Sequence, residues 1–309
     1  MNDSVSQRRG ILLVLVSGCC WGFHGVLIKY AFSLGGSFLQ VFILEAFLAA
    51  LFFSFFARSF FKTVKPEGLR QWGSLLAIGL ATVGVGSFLF LSFSLGPVAI
   101  PATLMFLYLP VVYLVSILTG QQTVSPVKVG AIALVLLGAV LTTEILSPFR
   151  QPGALPAVIS AVAASMCYAV VFILTPSIGA YTTAEFRSFV VSGIGFLGCL
   201  VILAFVPSLW NDVGENIWRF YAFALLLGVV GQILPVITLM KGLPLTGGSL
   251  GGVVASIELP IAVFSAALLL GESLHIYKIL GVILVLSGIV FYNYAENLSL
   301  RRFRAASPM

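Results

Sequence analysis

Apolar runs recur from end to end of this 309-residue chain, each close to the roughly 20 residues that an α-helix needs to cross about 30 Å of hydrocarbon at 1.5 Å per residue. Ten segments qualify, near residues 10–31, 37–57, 71–94, 98–118, 127–146, 154–175, 183–206, 218–240, 248–270 and 275–295. Between them stand Gly35-Gly36, Pro66, Gly96-Pro97, Ser125-Pro126, Pro148, Pro152, Pro176, Gly242 to Pro244, and Gly271, the residues that end helices and turn chains. Only 8% of the residues are charged and 60% are hydrophobic, too few charges to cover a water-facing surface, so the expectation is an all-α integral membrane protein.

Charge placement sets the expected orientation. Arg8, Arg9, Arg58, Lys62, Lys65, Arg70, Lys128, Arg187, Lys241, Arg301, Arg302 and Arg304 fall on the side of the N-terminus, and only Lys29, Arg150, Arg219 and Lys278 on the other. Under the positive-inside rule that bias puts both termini in the cytoplasm. The net charge of +6 therefore reports topology, and no nucleic-acid partner is expected. Cys19, Cys20, Cys167 and Cys199 lie in apolar segments without CxxC or Cys/His spacing, and are expected to be small buried hydrophobes without disulfide or metal.

The chain repeats itself. A shift of 150 superposes Pro110 on Pro260, Lys128 on Lys278 and Gly138 on Gly288, and a shift of 143 brings Gly10 and Ser17 onto Gly153 and Ser160. The expected halves are residues 1–147 and 148–309, five helices each. Because five is odd, the second half enters the membrane from the opposite side, giving two inverted repeats and two related conformations around a site near the midplane.

Each half closes with a Pro-containing helix, a turn and a Gly-rich last helix, in the stretches Gly96 to Gly138 and Gly242 to Gly288. These stretches, with LLLGE at Leu268 to Glu272, resemble the two EamA-type repeats of the drug/metabolite transporter superfamily, over essentially the whole chain. Trp21-Gly22 and Arg187 fit the family pattern, whereas Ala164-Ser165 replaces an aromatic and Glu45 stands where many relatives carry a basic residue. Within the superfamily the chain resembles bacterial exporters of the YddG type. That resemblance implies a secondary, alternating-access transporter of the inner (plasma) membrane, exporting amino acids including aromatic and hydrophobic ones. A choline-like cation, nucleoside, sugar or drug stays open as cargo, and so does a passive channel. Small-molecule substrate and membrane lipid are the implied partners, no cofactor is implied, and a homo-oligomer stays open. The first, third, fourth, sixth, eighth and ninth helices would enclose the cavity.

Glu258 leads the candidate substrate-binding residues, because a carboxylate at membrane depth costs about 3 kcal/mol and persists where it has a partner or a role. Pro260 follows two residues later and removes the hydrogen bond to the Ser256 carbonyl, which a solute or water could then use. The repeat sets Tyr108 opposite Glu258, with a ring and a hydroxyl to offer. Ser17, Trp21, His24 and Ile28 form one stripe of the first helix beside a stripe of Gly18, Gly22 and Gly25. His24 could bind a carboxylate or relay a proton, and Trp21 could stack on an aromatic or cationic solute. Tyr168 and Gln232 complete the set. Each of these residue types also occurs as ordinary membrane packing, and Glu45 and Arg187 read as structural or gating charges. Pro110, Pro235 and Pro260 are the expected hinges. No HExxH or intramembrane aspartate pair occurs, which argues against an enzyme.

Overall fold

A computed structural model describes residues 2–63, 68–95, 99–143, 154–179, 181–210, 212–271 and 274–306, and these are helical without a strand. The expected join at 147/148 and the turns at Pro66, Gly96-Pro97, Pro148 and Pro152 lie outside the described residues.

The first three crossings are α1 (Asn2–Ser33), α2 (Phe38–Thr63) and α3 (Gly68–Leu95). The fourth is broken into α4 (Ala99–Leu104), a tighter turn Met105–Leu107, and α5 (Tyr108–Leu118). The fifth is α6 (Pro126–Thr143), the sixth α7 (Ala154–Ile178) and the seventh α8 (Ala184–Phe205). The eighth comprises α9 (Ile217–Leu227), a wider π-helical turn Gly228–Ile233 and α10 (Leu234–Thr246); the ninth is α11 (Gly248–Ala255) followed by α12 (Glu258–Leu270); the tenth is α13 (Ile276–Ala306). Among the described residues nine spans are long and apolar enough to cross a membrane, and the shorter apolar helix Pro126–Thr142 makes the tenth. The ten expected segments are all present. The eighth runs longer than expected, because Pro244 lies inside α10 and the helix stops only where Gly247 takes φ +76°.

Packing follows the repeat. The heaviest contacts are α6 on α13, α3 on α7, α2 on α8 and α1 on α10. Exchanging the halves turns the third-on-sixth pair into eighth-on-first and returns the second–seventh and fifth–tenth pairs to themselves, as two inverted five-helix repeats require. Glycine permits the closest approaches. In the fifth–tenth pair a Cβ on Gly138 would lie 2.6 Å from the Gly281 carbonyl oxygen, and one on Gly281 2.7 Å from that of Gly138, so the two backbones are in direct contact.

One polar cluster joins the ends of the fourth, fifth, ninth and tenth crossings. Lys128, 3% exposed, pairs with Glu296, donates to Gln122 at 2.9 Å and lies over the Tyr292 ring. Ser116 and Ser249 share a hydrogen bond at 2.7 Å. Breaking a buried ion pair strands the remaining charge, so Lys128→Met is expected to destabilise the fold by about 3 kcal/mol. Adding Glu296→Leu should restore most of that loss, as read by a double-mutant cycle of thermal unfolding in detergent.

The cysteines depart in part from expectation. Cys199 is buried, but Cys19, Cys20 and Cys167 are only half-buried. Cys19 and Cys20 lie on the outward side of α1, where with Leu12, Val16 and Phe23 they line a shallow apolar groove. A thiol is apolar enough to face lipid chains, so burial inside the protein is not required of it.

Candidate functional site

The ninth crossing is interrupted at Ser256–Ile257, and Glu258 is the first residue of α12, midway along it. Tyr108 is likewise the first residue of α5, midway along the fourth. Pro110 and Pro260 each stand third in their half-helix, where a missing N–H costs least. The expected free carbonyl at Ser256 is not free, because Leu259 N–H donates to it at 3.1 Å in a tighter i→i+3 turn.

The eighth crossing handles its proline differently. Pro235 has no N–H for the carbonyl of Gly231 four residues earlier, and the helix widens into the π turn over Gly228–Ile233. Trp21 Nε1 donates to that Gly231 carbonyl at 3.0 Å, and Ser17 Oγ donates to the Pro235 carbonyl at 2.9 Å. The freed backbone acceptor thus lies in the eighth helix, and a side chain of α1 takes it. Gln232 sits half-buried in the same turn.

The small-residue stripe of α1 packs only in part, because Gly18 and Gly22 are buried whereas Gly25 is exposed, and Ser17 of the other stripe is buried against α10. Gly18 and Gly22 admit the break of the ninth crossing: a Cβ on Gly18 would lie 2.9 Å from the Ala255 carbonyl oxygen, and one on Gly22 2.7 Å from that of Glu258. Trp21 and His24 sit beside this contact. The His24 ring lies on Gly231, whose added Cβ would be 2.3 Å from Nε2, so Gly231 leaves the space that the imidazole fills.

His24 Nε2 is paired with Glu45 Oε1 at 2.6 Å, and Glu45 is 1% exposed. Glu45 therefore joins the site as the partner of His24. The hairpin of α1 and α2 made this pair legible: His24 lies nine residues before the end of α1 and Glu45 seven residues after the start of α2, so at 1.5 Å per residue both stand roughly 10 to 14 Å from the connecting turn. Arg187, at the roughly equivalent place in the second repeat, does something else. Its guanidinium donates to the Thr182 carbonyl and hydroxyl and to the Met240 carbonyl, fastening the start of α8 to α10.

Tyr108 is placed opposite Glu258 as the repeat required, but its hydroxyl is committed: it donates to the Gly252 carbonyl at 2.7 Å, and the side chain is 2% exposed. Its ring meets Tyr168 edge-on, centroids 4.8 Å apart, and Tyr168 in turn meets Phe172 at 5.0 Å and Trp21 at 6.2 Å. His24, Tyr108 and Tyr168 all lie within the electrostatic reach of Glu258. The structure thus brings together Trp21, His24, Glu45, Tyr108, Tyr168 and Glu258 from α1, α2, α5, α7 and α12, whereas Gln232 is tied to them only through its neighbour Gly231 in the π turn. Trp21, His24, Tyr168, Gln232 and Glu258 remain partly exposed, whereas Tyr108 and Glu45 are buried. The arrangement gathers a carboxyl group, an imidazole and aromatic side chains, groups that can take a positively charged group on an apolar body.

Residues 8–144 and 155–294 each match the EamA-like transporter family, one copy in each half. No curated protein matches the chain. Among solved structures, one titled "Crystal structure of protein" superposes with a TM-score of 0.71 at 18% identity, covering 92% of this chain and 98% of that one, a likeness of fold.

Proposed function

We propose, on the premise that this chain belongs to the EamA-like transporter family and is a multi-pass membrane transporter of small solutes, that it exports amino acids across a bacterial inner membrane by alternating access, with both termini cytoplasmic. Aromatic and hydrophobic amino acids are the first candidates. The observation that carries this reading is Glu258, a partly exposed carboxylate at the mid-membrane break of the ninth helix, in a bundle where Tyr108, Tyr168 and Trp21 form a chain of ring contacts. The carboxylate would take the solute's ammonium group and the rings its side chain. Pro110, Pro235 and Pro260, each at a helix interruption, are the places where half-helices would tilt as the site opens to one face and then the other.

Counterflow in proteoliposomes tests this. Vesicles preloaded with unlabelled L-phenylalanine are expected to accumulate external labelled L-phenylalanine transiently and saturably. Choline, nucleosides, sugars and drugs serve as competitors that rank the solute classes. Flux that never saturates and shows no stimulation from the opposite side would indicate a passive channel and end the carrier reading.

A further inference from the structure

Glu45 is an ionisable group at membrane depth for which solute binding at Glu258 has no use, and it is held against His24 at 2.6 Å. We infer that His24 and Glu45 together hold the proton that this carrier releases when it takes its solute, so that solute and proton cross in opposite directions. The inference rests on the reading of Glu258 as the seat of the solute's ammonium group.

Charge at the site supplies the reason. With a protonated His24, one cation stands among two carboxylates, Glu45 in contact and Glu258 within electrostatic reach. The positions are fixed rather than fluid: Gly18 and Gly22 seat the backbone of the ninth-helix break on α1, and Gly231 fits beneath the imidazole. Charges attract more strongly in a site that excludes water, so the imidazolium depends on both anions. An ammonium group arriving at Glu258 cancels one of them. The ring N–H bond then breaks, its electron pair stays on nitrogen, and the proton passes to the aqueous phase to which the site is open. After the solute leaves on the far side, the bare Glu258 carboxylate favours protonation of His24 again, from that side. Linkage makes the effect reciprocal, so protonation weakens solute binding by the factor by which solute weakens protonation.

The charged groups of the packed elements are placed elsewhere or committed. On α8, which packs on α2, Arg187 is held by Thr182 and the Met240 carbonyl, and Glu185 pairs with Lys241. Within α12 the ionisable residue is Glu258, and α11 and the π turn contain none. In α2 the other charged residues, Arg58 and Lys62, stand in its last turns. Early in α9, Arg219 and Tyr221 are exposed, and Lys241 of α10 pairs with Glu185. On α1 the nearest ionisable residues in sequence are Cys20 and Lys29. Tyr108 and Tyr168 face Glu258 with phenols that carry no charge at neutral pH.

Isothermal calorimetry of the purified full-length protein, with phenethylamine and L-phenylalanine as probes in phosphate and in Tris at one pH, reads proton release directly. About one proton per bound amine is expected to leave the wild type, and the affinity for phenethylamine should rise with pH by up to about tenfold per unit. In Glu45→Gln and His24→Asn, at whatever affinity each shows for phenethylamine, the heats should no longer depend on the buffer and the affinities should no longer follow pH. Wild-type binding without buffer dependence overturns the inference, and so does undiminished release from Glu45→Gln, which would place the proton on Glu258. Should the variants fail to fold, a flat wild-type pH profile by itself overturns it. If neither probe binds the wild type, the reading of Glu258 has failed first, and the proton inference falls with it.

Discussion

Glu258→Gln should lower kcat/KM for transport of an amine-bearing solute by about 100-fold while leaving the protein folded and monodisperse. Gln keeps the shape of the side chain and removes the charge. Stranding one member of a desolvated charge pair typically costs 2 to 5 kcal/mol, and each 1.4 kcal/mol is a factor of about ten. The division of the loss is informative: a raised KM at constant kcat means that the carboxylate serves binding alone, whereas a fall in both means that it also serves the passage between the two open states. Glu185→Gln is the matched control, since it removes a carboxylate from a half-exposed pair with Lys241 of α10. Exposed pairs contribute little, so its transport should stay within about twofold of wild type. Equal transport by wild type and Glu258→Gln would remove the carboxylate from the site.

Gly22→Val should have the largest structural effect at the site. Even the Cβ of alanine at this position would stand 2.6 Å from Ile261 Cβ and 2.7 Å from the Glu258 carbonyl oxygen, and the second of these is backbone that cannot rotate away. Forcing extra atoms into such a contact costs about 1 to 3 kcal/mol or more, which for a chain of this size lowers Tm by roughly 5 °C or more. Transport should fall as well, because the displaced segment carries Glu258. Gly25→Ala tests the same stripe where the space is open, with no atom within 4 Å of the added Cβ, and should shift Tm by no more than about 2 °C. Thermal unfolding followed by size-exclusion chromatography separates the two, and equal effects would contradict the packing described.

Much of the site was legible before any coordinate. Glu258 stands out because a carboxylate is costly in hydrocarbon, and Tyr108 follows from it by the 150-residue repeat. Partners were harder to read. Nothing local to His24 says that its ring meets Glu45, although the equal depth of the two in a helical hairpin was available as a signal. The expected free carbonyl of Ser256, four residues before Pro260, is absorbed by a tighter turn, while the carbonyl freed by Pro235 is taken by Trp21, because a proline decides only which N–H is missing and the surrounding structure decides what replaces it. Tyr108 has its hydroxyl committed to Gly252 for a similar reason.

Sequence alone determined that this chain crosses a membrane ten times in two inverted halves, because hydrocarbon leaves a polypeptide little choice but helices of about 20 apolar residues. It also placed the candidate residues Tyr108 and Glu258 at two proline-marked breaks related by the repeat. Tertiary structure decided which glycines are contacts and which are open, which carboxylate holds the histidine, and which arginine is a fastening between helices. Those choices depend on atoms brought within 3 Å across helices far apart in the chain, and helical periodicity records which face a residue occupies, not what it will touch.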